Sequence, residues 1–246
     1  MITRNRGLVL LALVVVVIAL VAMFPARVAY RWVSSPFVAM GGIHGTIWNG
    51  SAREFSTNGV YLRDLTWQIR PLQLLTGKVV YDIAGSPVQG FFESEVAVSF
   101  AGNLSMRDLT ASVPLAMFEQ AANIAGLAGS ASLQIERLQL VDGRAAALDG
   151  TVEVATLRVP MLSRSSLGGY RAEFFTQENG IVASIEDTDG VVDLAGSLQV
   201  RRDKSYTFLG QVGPKPATPD ELRQQLRYLG SANERGLREL RLEGSY

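Results

Sequence analysis

Few residues in this 246-residue chain are of types that do chemistry. It has no cysteine, which excludes disulfides, thiolate metal sites and a cysteine nucleophile. A single histidine, His44, excludes multi-histidine zinc sites and argues against a histidine-based triad. His44 stands beside Gly42 and Gly45 with no carboxylate or serine pattern around it, and reads as a strand-edge residue. Glu186-Asp187-Thr188-Asp189-Gly190 is like an acidic calcium loop but lacks the third acidic position and the distal glutamate. A hairpin turn accounts for it better. An envelope hydrolase would need two carboxylates, such as Glu173 and Glu186, to converge in a cleft. Asn49-Gly50-Ser51 and Asn103-Leu104-Ser105 match a glycosylation sequon. No phosphate loop, nucleophile elbow or metal-ligand spacing occurs. The expectation is a non-enzyme without catalytic, cofactor-binding or metal-binding residues. With 23 basic and 23 acidic residues, the net charge of zero also argues against a nucleic-acid partner.

The elements that would position these residues fall into two parts. Gly7 to Phe24 is a run of 18 residues without a charge, 13 of them Leu, Val, Ile or Phe. As a helix it is about 27 Å long, close to a hydrocarbon core. Those side chains favour insertion by about 4 to 8 kcal/mol. A cleaved signal peptide is the rival, but cuts after Ala22, Ala26 or Ala29 place Leu20, Phe24 or Arg27 where a small residue is needed. The reading is therefore an uncleaved anchor, with Gly7, Leu13, Val17 and Phe24 marking its length. Residues 1–6 would be cytoplasmic, 7–24 the transmembrane anchor, 25–42 a membrane-proximal linker and 43–246 a periplasmic β domain. The expected topology is a single pass. Tyr30, Trp32 and Phe37 follow the run and suit either an interfacial aromatic belt or the start of the core.

The body alternates with period two. Phe92, Ser94, Val96, Val98 and Phe100 share one face; Val192, Leu194, Gly196, Leu198 and Val200 share another. Alternation implies one buried and one wet face, which antiparallel sheets permit. Turn pairs Asn58-Gly59, Asp142-Gly143, Asp149-Gly150, Asn179-Gly180 and Asp189-Gly190 suit type I′ hairpins and leave no room for parallel crossovers in the later part. The phase slips between Ile135 and Leu138 and between Val154 and Leu157, which predicts bulges. Leu115 to Ile124 is expected to be a helix. Thr218-Pro219-Asp220-Glu221 reads as a capping box opening a second one. The fold class is mainly β: one N-terminal helix, then an elongated, curled antiparallel sheet, folded over or half-barrel, with one or two short helices.

Gly45-Thr46-Ile47-Trp48-Asn49-Gly50-Ser51-Ala52, then Leu65-Thr66-Trp67-Gln68-Ile69-Arg70-Pro71 and Leu75-Thr76-Gly77, resemble the type II secretion system protein N family. The residues carrying the likeness are Gly45, Trp48, Gly50, Trp67, Pro71 and Gly77. The resemblance implies an accessory inner-membrane component of the machinery that exports folded proteins across the outer membrane. It implies no catalytic residues. The partners it implies are other secretion subunits, with the lipid bilayer around the anchor. The body is similar, more distantly, to AsmA-like periplasmic proteins. That likeness implies the alternative of a lipid-binding or lipid-transfer module with an apolar groove and bound lipid. From the residues alone, both tryptophans read as core, with small neighbours leaving room for the Trp48 ring to lie over the backbone.

Overall fold

The alternating segments pair into a single antiparallel sheet in the computed structural model, which describes residues 3–33, 38–57, 60–87, 89–99, 102–142 and 144–245. Side chains are described from Leu11 onward. Two helices come first, α1 (Thr3–Ala22) and α2 (Ala26–Val33). The strands follow: β1 (Val38–Gly41), β2 (His44–Gly45), β3 (Asn49–Thr57), β4 (Val60–Ile69), β5 (Lys78–Ser86), β6 (Phe91–Ser99) and β7 (Leu104–Pro114). After them come β8 (Ala128–Val141), β9 (Arg144–Arg158), β10 (Gly168–Gln177), β11 (Gly180–Asp187), β12 (Val192–Arg201), β13 (Ser205–Pro214) and β14 (Arg238–Ser245). Two further helices are short: α3 (Glu119–Ala122) and α4 (Asp220–Arg227).

From β3 to β14 every strand pairs with its sequence neighbour, and all ladders are antiparallel. β1 lies on the free side of β3, and β2 also pairs β3. The sheet is open, with β1 and β14 at its ends.

Register explains the apolar face. Phe92, Ala111, Leu133, Val152, Ala172, Ile185, Gly196, Gly210 and Leu240 are successive cross-strand partners from β6 to β14. Tyr81, Val96, Met106, Leu138 and Leu148 form a second such row from β5 to β9. The other face carries Arg171 opposite Glu153 and Arg137 opposite Asp149, both ion pairs.

Bulges sit where the phase slips. β8 shifts register between Ile135 and Arg137, and β9 places Val154 and Leu157 opposite Tyr170 and Gly168. Others, unforeseen, lie at Asp64 in β4 and Asp108 in β7, both with φ near +50°, and a further register shift falls between Gln139 and Leu140. Aspartate tolerates that left-handed geometry better than most side chains.

The sheet is curved. A 3₁₀ turn, Leu115–Phe118, contacts both β4 and β8. On a flat sheet those strands would stand about 19 Å apart, far beyond a four-residue turn.

Short helices cover the apolar face in three places. α2 contributes Ala26 and Tyr30 to a cluster with Ile43, Ala52 and Leu65. The Leu115–Phe118 turn packs on Leu109, Val113 and Ile135. α4 adds Leu222 and Leu226 to Leu167, Val192 and Val212.

Several local expectations are corrected. Asp149-Gly150 is no turn: it lies inside β9 opposite the β8 bulge, because Asp149 is needed there by Arg137 and Thr176. The β10–β11 loop is Glu178 and Asn179, with Gly180 opening the strand. Asn58-Gly59, Gly143, Phe37 and Phe100 lie outside the described residues. The helix expected over Leu115 to Ile124 is a 3₁₀ turn and one α-turn, stopped by Asn123 at φ +53°. No capping box forms at α4. Pro219 is the cap residue and uses no side chain, while the Thr218 hydroxyl donates to the Val191 carbonyl (2.5 Å) and accepts from Lys215 N–H (2.7 Å). Thr218 therefore ties the proline-rich connection to the sheet.

Among the described residues no helix is long and apolar enough to cross a membrane. α1 as a helix has 20 residues, but its described side chains begin at Leu11. From Leu11 to Met23 they are exposed, Leu13 at 63% and Val17 at 51%. Gly7 lies in α1 where side chains are not described. Residues 25–42 carry α2 and β1.

Candidate functional site

The residues of the Gly-Thr-Ile-Trp-Asn-Gly segment converge on one corner, where α1 ends, α2 begins and β2 to β4 start or finish. Thr46 builds the turn. Its hydroxyl accepts from the Trp48 and Asn49 N–H groups (3.2 and 3.1 Å), and its own N–H donates to the Asn49 carbonyl (2.8 Å). Gly45 sits at φ +83°, and a Cβ there would lie 2.4 Å from the Asn49 carbonyl oxygen. Only glycine fits that position.

The two tryptophans act differently from each other. Trp67 from β4 lays its ring over Gly50, where a Cβ would lie 2.4 Å from Cζ2. So the small residue makes room for Trp67, not Trp48. The Trp67 indole N–H donates to the Thr46 carbonyl (3.1 Å) and locks the turn from above. Trp48 points the other way, and its indole N–H donates to the Val21 carbonyl (2.7 Å) in the last turn of α1. That carbonyl, among the last of its helix, also accepts from Phe24 N–H (3.2 Å). Beside it, Ile47 N–H donates to the Phe24 carbonyl (3.1 Å), and Pro25 bridges Thr46. The motif thus clamps the helical segment onto the sheet.

Pro71 and Gly77 belong to the next connection. Pro71 opens the 3₁₀ turn Pro71–Thr76, and Gly77 closes it at φ +74° with its N–H on the Leu74 carbonyl. Proline suits the first position of such a turn, and glycine the left-handed end.

α2 was not foreseen as a helix, although the spacing of Ala26, Ala29 and Tyr30 with Arg27 and Arg31 between them carries the signal. Tyr30 docks it: the hydroxyl donates to the Val38 carbonyl and accepts from Met40 N–H, both at 3.1 Å. Between α2 and the sheet lies an apolar cleft of about 410 Å³, lined by Ala29, Tyr30, Met40, Ile47, Trp67 and Ile83, among others. Phe24 tilts against Trp32, ring centroids 5.4 Å apart.

Charge collects on the opposite face. Arg70 bonds Asp82 (2.8 Å) and Glu95 (2.5 Å); hydrogen bonding to Asp82 raises its pKa further, though burial opposes this. Burial pushes the Asp149 carboxyl up, but Thr176 N–H and hydroxyl, with Arg137, outweigh it and hold the pKa below the usual carboxylate value. Glu173 lines a polar depression with Glu153 and Arg171, whereas Glu186 is not among its lining residues. In the β10–β11 register the two carboxylates share a face on either side of Arg171, which acts on both electrostatically and pairs with Glu153. Among the described residues no group of three or more His, Cys, Asp or Glu is placed to hold a metal. Asp187, from the acidic loop, instead pairs with Lys215 and accepts from Leu194 N–H (2.8 Å).

Compared with known proteins, residues 36–241 match the family model described as type II secretion system (T2SS), protein N. Relatives called type II secretion system protein N include one from Aeromonas hydrophila, 23% identical over 92% of each chain. Another, from Vibrio cholerae serotype O1, is 25% identical over 95% of each. A third, from Pectobacterium carotovorum subsp. carotovorum, is 26% identical over 81% of each. No solved structure matches.

Proposed function

The chain belongs to the type II secretion system protein N family, and from that membership we propose that it is an accessory component of this secretion machinery, acting through non-catalytic protein contacts. The observation that carries the reading is the family match, which runs from just after α2 into β14 and so takes in nearly the whole sheet. The side chains are consistent with it: Arg70 and Arg137 pair with carboxylates within the sheet, and the Trp48–Trp67 corner ties backbone to backbone. In this reading the uncharged run from Gly7 to Phe24, which α1 covers as far as Ala22, serves as the inner-membrane anchor; the support for it is the sequence. The short N-terminus is cytoplasmic and the β body periplasmic. Confinement to the membrane plane raises the effective concentration near co-anchored subunits. Gly45, Trp48, Gly50 and Trp67 serve the reading structurally, by holding the helical segment to the sheet, and Pro71 and Gly77 by shaping the β4–β5 connection. No compared relative carries a name that favours the lipid-transfer alternative.

Deleting the gene in its host and measuring export of folded proteins, together with affinity capture of the anchored chain, tests this. Export is expected to fall and other secretion subunits to co-purify. Undiminished export without any captured subunit would sink it.

A further inference from the structure

α2 has two unlike sides. Ala26 (6% exposed) and Tyr30 face the sheet. The opposite side presents Val28 and Trp32, flanked by Arg27 and Arg31. Trp32 is 76% exposed and Met23, just upstream, 74%. With Phe24 against Trp32, these form an apolar patch at the exit of α1, rimmed by two guanidinium groups. Patches of this composition mark a binding surface. A tryptophan with its apolar ring and polar N–H, next to arginines, is the chemistry of the headgroup boundary.

We propose that the outer side of α2, with Met23 and Phe24, lies on an anionic lipid surface and sets the orientation of the sheet against the bilayer. The proposal rests on the anchoring of α1 given above. Two observations select lipid as the occupant. The patch is continuous with the exposed apolar side chains running from Leu11 to Met23, and the exposed Arg27 at its rim complements phosphate groups. The clamp makes the contact mechanical. Trp48 on the Val21 carbonyl, Ile47 N–H on the Phe24 carbonyl and Tyr30 on β1 leave α2 little freedom to turn independently of the sheet.

The absence of cysteine makes the test direct. The full chain is placed in vesicles of phosphatidylethanolamine and phosphatidylglycerol, carrying a nitroxide at V28C, at M23C or at Y228C on the distant, 90%-exposed Tyr228. Collision with oxygen, which dissolves in lipid, is compared with collision with a water-soluble nickel chelate. The oxygen-to-nickel ratio is expected to be several-fold higher at V28C and M23C than at Y228C, and to fall at V28C when phosphatidylglycerol is replaced by phosphatidylcholine. M23C repeats the reading if V28C fails to fold. Equal ratios at all three sites, with the protein retained in the vesicles, would overturn the proposal and leave the anchor intact. Shielding from both reagents at V28C would also overturn it, since it indicates a protein occupant. Release of the chain from the vesicles by an alkaline wash would overturn the anchor reading, and this proposal with it.

Discussion

Adding one methyl group at Gly50 should unsettle the whole corner. A Cβ there meets Trp67 Cζ2 at 2.4 Å and the His44 carbonyl oxygen at 2.6 Å. Neither neighbour can give way cheaply: the carbonyl belongs to the β2–β3 ladder, and the indole is tied to Thr46. Overpacking of this kind costs about 1–3 kcal/mol, and two simultaneous clashes put G50A at about 2–3. For a chain of this size that corresponds to a fall in Tm of about 4–12 °C. Gly85 provides the control. A Cβ there first meets Leu65 Cδ1 at 3.4 Å, an ordinary contact, and its φ is not in the left-handed region. G85A should be neutral or stabilising by about 0.4–1 kcal/mol, through the unfolded chain. The assay is thermal unfolding of both variants in detergent, followed by near-ultraviolet circular dichroism, which reports the packed indoles. In a W67F background, where the ring no longer reaches Gly50, the G50A cost should shrink. Refutation would be G50A melting with the parent, or G85A falling as far as G50A.

Three further outcomes follow from the same contacts. W48F removes the bond to the Val21 carbonyl and should speed amide exchange at Phe24–Ala29 at least several-fold, with a stability loss of about 1 kcal/mol; unchanged exchange there would contradict the clamp. D149N removes a carboxylate that accepts from Thr176 and Arg137. Because the native carboxyl is held below its unfolded pKa, the unfolded chain binds the proton first as pH falls. Its contribution is complete above the unfolded value and is lost on acidification, so D149N should flatten that part of the stability–pH curve; an unaltered acid limb would refute it. T218V keeps the shape but loses both bonds to Val191 and Lys215. It should destabilise by about 1–3 kcal/mol and loosen α4, read as faster exchange at Arg223, whereas T218S should retain most of the parent's protection.

How much of this was legible in the sequence depended on how local the cause was. Alternation along β6 and β12 and the phase slips near Glu136 and Ala155 are carried by neighbouring residues, so strands and bulges could be read directly. The bulges at Asp64 and Asp108 escaped because polar flanks hide the change of phase. Asp149-Gly150 has turn chemistry, yet Arg137 and Thr176, one strand away on either side, claim the carboxylate and hold it mid-strand. Thr218 failed as a cap for a similar reason: Val191 took its hydroxyl. The corner showed both limits. Its glycines announced a tight backbone, but which indole covers Gly50 and which reaches α1 was set by the β3–β4 register.

The order of the sheet bears on how the molecule is made. Apart from β1 and β2 at one end, each new strand adds to the one synthesised just before it. A chain synthesised from its N-terminal end can therefore zip up strand by strand, each strand finding its partner already made. Most connections are short, which keeps the entropic barrier low; the long one, between β13 and β14, carries α4. The leading end is seeded near α1, where the Trp48 indole grips the helix, so growth would begin at that corner and proceed toward β14.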